Sequence, residues 1–169
     1  MSRSRLRLVG VRATAASLVV AATVVATSGL AVGAKRSLDE ALDAARPARA
    51  PFEGLTQTRI GVDGDRLRVV LADESDERVQ GLRGRRDLGT YDGMLFVFDE
   101  PTDIAFTMST VPVVLDIAFY DARGRVVDRL RMEPCPDAES DCPLYQPDDE
   151  FTYALEALAD GLPRGRLTG

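Results

Sequence analysis

The chain has 169 residues, a formal charge of −6 and an apolar content normal for a globular protein, which suits one domain of ordinary size plus extensions. It contains no His and no Trp. The missing His excludes Ser-His-Asp and Cys-His nucleophile systems and His-based zinc sites within the chain.

The first signal in chain order is N-terminal. Arg3, Arg5, Arg7 and Arg12 precede a run without charge from Ala13 to Ala34, 22 residues in all. As a helix that run would span about 33 Å at roughly 1.5 Å per residue, close to a bilayer core. The preceding arginines predict that the remainder lies outside the cytoplasm. Residues 1–34 therefore read as a signal anchor, or as a signal peptide cleaved at the small residues Val32-Gly33-Ala34. The expected membrane contact is residues 13–34, and the expected location is the cell membrane with the domain outside, or secreted if cleavage occurs. Setting the four arginines aside turns −6 into −10 for the rest of the chain. An acidic domain repels phosphates, so no nucleic acid partner is expected.

Residues 35–51 read as a stalk. Ser37-Leu38-Asp39-Glu40 has the form of a capping box, and a short helix could run to about Arg46 with Leu38 and Leu42 on one face. The stretch RPARAP then suits an extended spacer, with the folded domain over 52–169.

Within the domain, Leu67, Val69 and Leu71 alternate as one face of a strand, and Val62-Asp63-Gly64-Asp65 predicts a hairpin with residues 56–61. Asp73 is placed to cap a short helix ending near Gly84, with Glu74, Asp76 and Glu77 complementing its positive end. Met94–Phe98 and Ile104–Met108 read as two strands separated by Asp99-Glu100-Pro101, with Met94, Phe96 and Phe98 as core. Leu115–Tyr120 and Arg125–Met132 flank a hairpin turn, Asp121 to Gly124, and Phe151–Glu156 reads as the last strand. The expected fold is α+β: a small barrel- or sandwich-like domain, mostly antiparallel β, with one short helix.

Cys135 and Cys142 are the only cysteines. In an exported chain they should form a disulfide. Two ligands are too few for structural zinc, and Asp148-Asp149-Glu150 reads as a solvated loop, so no metal or cofactor is expected.

Several separate motifs carry a family resemblance. Glu77-Arg78, Gly81-Leu82, Arg85 and Leu88 are followed by Gly93-Met94-Leu95-Phe96 and Phe98, then by Met108 and Leu115-Asp116-Ile117. Met132-Glu133-Pro134-Cys135, Cys142-Pro143-Leu144-Tyr145 and Tyr153-Ala154-Leu155-Glu156 continue the series. Over roughly residues 56–160 the chain resembles the domain-of-unknown-function family 192, DUF192. The resemblance implies a compact, mostly β domain, often exported, with no established activity. One segment departs. Members usually read Phe-Trp-Met-Lys-Asn-Thr where this chain has Phe106-Thr107-Met108-Ser109-Thr110-Val111, so a family site lined by it would be altered here.

The candidate site residues are Asp116, Arg85, Arg78 and Thr107. Asp116 lies on a strand apolar on both faces and should be paired or shifted upward in pKa. Arg85 and Arg78 are its expected partners, in a ligand pocket or a structural ion pair. The expected function is a non-catalytic extracytoplasmic module binding a small molecule, a cell-envelope polymer or a partner protein. The alternative is a hydrolase or lyase with Asp116 and either Glu133 or Glu156 as acid and base.

Overall fold

The computed structural model describes residues 37–169. The run 13–34, on which the anchor or signal peptide falls, lies outside the described residues. Among those residues no helix is long and apolar enough to cross a membrane.

The segment expected to be an extended spacer is folded onto the domain. Ser37 caps α1 (Leu38–Asp43), and its hydroxyl and the Glu40 carboxylate form the expected capping box. Ala41 is buried, Leu38 and Leu42 pack on the core, and the Thr58 hydroxyl donates to the Ala41 carbonyl. β1 (Arg46–Pro47) then pairs with β2 (Thr56–Val62), so the folded body includes residues 37–51.

β2 and β3 (Asp65–Ala72) form the predicted hairpin, with Val62 opposite Asp65. The two turn residues, Asp63 and Gly64, both have positive φ, the geometry that Asp-Gly supplies for a two-residue turn matched to strand twist. The chain then crosses over through α2 (Ser75–Gln80) to β4 (Gly93–Thr102), which pairs with β3 in parallel. A parallel pair needs a crossover passing over one sheet face, and that puts α2 above Met94 and Phe96.

Four local expectations are corrected. The residue at the N-cap of α2 is Glu74, not Asp73, because the Glu77 carboxylate draws in the N–H groups of both. The helix ends at Gln80, four residues early, as Gly81 takes a positive φ against the Phe96 ring, 3.4 Å from where a Cβ would stand. Asp99-Glu100-Pro101 does not break β4, which runs through it with a shifted register between Val97 and Thr102. The second expected strand shrinks to β5 (Phe106–Thr107), paired with β8 (Leu144–Tyr145) in a separate small sheet.

β6 (Leu115–Tyr120) and β7 (Val126–Met132) form the other predicted hairpin, its turn organised by the Asp121 carboxylate on the N–H groups of Arg123 and Arg125. A 3₁₀ turn (Glu139–Asp141) lies in the loop closed by the Cys135–Cys142 disulfide. β9 (Phe151–Leu158) does not add at an edge. It enters between β4 and β6, giving the order β1-β2-β3-β4-β9-β6-β7. Each residue from Phe151 to Ala157 is buried.

The sheet buries both faces. One packs Met94, Phe96, Ile117, Phe119 and Ala154 beneath the crossover, and the other packs Ile60, Val69, Leu95, Tyr120 and Leu155. The result is the expected α+β class, mostly antiparallel, but the sheet is open and there are two short α-helices among the described residues. After β9 the chain continues as a strap to β10 (Leu167–Thr168), which pairs with β2. The strap also reaches the opposite hairpin. Leu167 N–H donates to the Gly124 carbonyl at 2.9 Å, and Arg129 donates to the carbonyls of Pro163 and Leu162. Gly124 is required there, because a Cβ would collide with the Leu167 carbonyl.

Leu167 is 2% exposed and sits where the strap ties the two ends of the sheet together. Leu167→Ala should cost about 2–4 kcal/mol in a denaturant melt. A loss under about 1 kcal/mol would mean that the strap is not part of the cooperative unit.

Candidate functional site

Between α2 and the sheet lies a cleft of about 270 Å³, at the small end of ligand pockets. One wall is the crossover, with Arg78, Val79, Gly81 and Arg83. The other wall is Ile104 to Thr107, and the aromatic lining is Phe96, Phe98 and Phe106. The cleft exists because α2 buries none of its own side chains. It is held above the sheet by arginines instead of by an apolar stripe.

Arg78 stacks its guanidinium on Phe98, 5.1 Å from the ring centroid, and donates through Nη1 to the carbonyls of Asp73 and Val97. Arg83 donates to Val79 O at 3.1 Å and Ser109 O at 3.0 Å, and pairs with Glu139 at 2.8 Å. Arg83 therefore ties three segments together: the end of α2, the loop after β5 and the disulfide loop. The Ser109 hydroxyl adds a bond to Asp137 O, and Thr110 N–H donates to Cys135 O.

The floor of the cleft holds Glu156. Directly opposite residues on neighbouring strands share a face. Glu156 stands opposite Met94 on β4 and Ile117 on β6, so its carboxyl lies on the apolar face beneath α2. It is 5% exposed, and no described residue hydrogen-bonds or ion-pairs with it. Burial alone pushes its pKa up to about 8 from an ordinary 4.5, so at neutral pH it is mostly the uncharged acid.

The candidate residues named from sequence divide. Arg78 and Thr107 line the cleft, whereas Asp116 and Arg85 do not. The expected Asp116–Arg85 pair is not formed. Arg85 stacks on Phe52 at 4.2 Å. Asp116 accepts from the Asp160 N–H at 2.7 Å and lies 3.9 Å from Arg131, holding the turn where β9 passes into the strap. The ion pair is half exposed, worth at most about 1 kcal/mol. The carboxylate pairs of the alternative reading are not assembled either. Asp116 stands opposite Ala157, one residue along from Glu156, and therefore points to the other face. Glu133 is exposed and not among the residues lining the cleft. Among the described residues no group of three or more acidic or cysteine side chains is placed to hold a metal ion.

Sequence reasoning gave Glu156 only a secondary role and missed Arg83 and Glu139. Glu156 carries a legible signal: a charged residue ending Phe-Thr-Tyr-Ala-Leu, a strand otherwise suited to full burial. Arg83 and Glu139 carry none, since 56 residues separate them.

An open, mostly antiparallel sheet with a helical crossover above a cleft defines a small α+β domain. The family model DUF192, described as an uncharacterized ACR, matches residues 57–165, and the chain belongs to that family. Two crystal structures are similar to it. A protein of unknown function from Novosphingobium aromaticivorans is 27% identical over 76% of this chain and 96% of its own, with a TM-score of 0.60. A suggested transcription regulator from Sinorhizobium meliloti is also 27% identical, covering 66% of this chain and 90% of that one, with a TM-score of 0.55. No curated protein matches the chain.

A raised carboxyl pKa destabilises the fold wherever the unfolded chain ionises and the folded one does not. For Glu156 the full stability is present below pH 4.5 and is lost as pH rises towards about 8. The loss is on the order of 5 kcal/mol. Glu156→Gln should abolish this slope, matching the parent near pH 4 and exceeding it at pH 9 in denaturant melts. Parallel pH profiles for the two proteins would show that the carboxyl is not held in an apolar site.

Proposed function

We propose that this protein is a non-catalytic ligand-binding module of the cell envelope, displayed outside the cytoplasm and tethered by residues 13–34, which binds a small molecule in the cleft beneath α2. The observation that carries the binding reading is Glu156. Fold stability gains nothing from an unpartnered carboxyl in an apolar floor, so its presence is best accounted for by a partner that arrives from the cleft. The lining fits this use: aromatic faces supply contact area, and a few polar groups at the rim supply orientation. The one other carboxylate that lines the cleft among the described residues, Glu139, is paired with Arg83, which favours binding over acid–base chemistry. Export is supported by the four arginines before the uncharged run and by the disulfide, a bond suited to an oxidising compartment.

Two experiments test the two halves. Small-molecule fragments of mixed chemistry, titrated into isotope-labelled protein, should shift the amide signals of Val79, Gly81, Phe96 and Thr107 before any others. Shifts confined to other surfaces would remove the cleft as the site. For location, cells should yield the chain in the membrane fraction, with the domain cleaved by protease added outside. Recovery of the intact chain in the cytosol would refute display outside.

A further inference from the structure

Two charged side chains in the cleft, of opposite sign, have unspent binding capacity. Glu156 at the floor has no partner. Arg78 at the rim uses Nη1 for Asp73 O and Val97 O, while its Nε and Nη2 donate to none of the described residues. The second rim cation is spent, since Arg83 directs all three nitrogens to Val79 O, Ser109 O and the Glu139 carboxylate. The wall beside these groups is apolar, formed by Phe96, Phe106 and Ala105.

We propose that the cleft recognises a small zwitterion, its ammonium group received by Glu156, its anionic group by Arg78, and its short apolar body laid against Phe96 and Phe106. The proposal rests on the cleft being the ligand site and names the class of ligand. A buried carboxylate gains most from a cation, because charge-assisted hydrogen bonds in a site shielded from water are the strong ones. A ligand bearing only a cation meets the unspent charge of Arg78. A ligand bearing only an anion leaves Glu156 without a partner. A ligand carrying both groups satisfies each.

Binding is then coupled to a proton. The titratable groups facing Glu156 across the cleft are Arg78 and Arg83 from the crossover and Glu139 from the 3₁₀ turn, the last already paired with Arg83. The neighbouring strands present only Met94 and Ile117. Glu156 holds its proton at neutral pH, so that proton passes to the buffer as the ammonium group arrives, and affinity rises with pH towards 8.

The test is calorimetric titration of the full chain with two zwitterions of different span, leucine and 6-aminohexanoate. Each is compared with its N-acetylated form, which lacks the cation, and its amide, which lacks the anion. At least one zwitterion should bind about tenfold more tightly than both of its masked forms. In Glu156→Gln that advantage over the N-acetylated form should vanish. Buffers of different ionisation heat should reveal proton release by the parent protein and none by the variant. N-acetylated forms that bind as tightly as their parents, or a Glu156→Gln protein with unchanged affinity, would overturn the proposal. If neither zwitterion binds while neutral fragments still occupy the cleft, the zwitterion falls and the cleft remains a ligand site. If no ligand of any class enters the cleft, both readings fall.

Discussion

The placement of β9 is the constraint on which the rest of the molecule depends. It is the last long strand in the chain, yet it hydrogen-bonds to β4 on one side and β6 on the other. Without it the sheet is two separate pieces: β1 to β4 with β10, and the β6–β7 hairpin. Its continuous burial is what a strand covered on both faces requires. Pairings this distant in sequence must be paid in loop closure before they return any contact, so the fold cannot be completed locally. The same insertion carries Glu156 beneath α2.

The cleft follows from how the crossover is fastened. A helix usually covers a sheet with an apolar stripe, and such a stripe would fill this space. α2 instead exposes Val79 at 69% and reaches the sheet through Arg78, while the turn that follows it reaches the disulfide loop through Arg83. Long side chains donating to carbonyls hold the helix at a distance while leaving room beneath. An unpartnered carboxyl on the floor costs stability at neutral pH and above, and such costs concentrate at sites kept for binding or chemistry.

The segment 106–111, where the chain departs from its family's usual residues, forms part of the rim. Thr107 is the half-buried residue standing where members usually carry a bulky aromatic, and it lines the cleft. Thr110 has φ 60, a left-handed conformation that a β-branched side chain adopts at a cost and that Asn adopts more readily. Bonds from Thr110 to Cys135 and from Gly84 to Thr110 hold it there. The disulfide loop thus braces the altered rim.

The sequence alone determined what depends on neighbours in the chain. The Asp63-Gly64 turn, the Ser37 capping box, the Asp121 turn and the alternation through Leu67, Val69 and Leu71 were legible because each is decided within a few residues. The α+β class followed from their sum, and the family from motifs at fixed spacing. The tertiary structure decided everything that rests on which strands meet. Whether Asp116 faces the crossover could not be read, because a strand apolar on both sides does not say which side a crossover will cover. Its partner became the Asp160 N–H, brought from 44 residues away by the turn after β9. Arg85 went to Phe52, and the carboxyl on the floor of the cleft is that of Glu156, not of Asp116. The physical reason is the period of two along a strand. Register between distant strands sends a carboxyl into a cleft or away from it, and only the insertion of β9 between β4 and β6 settled that register.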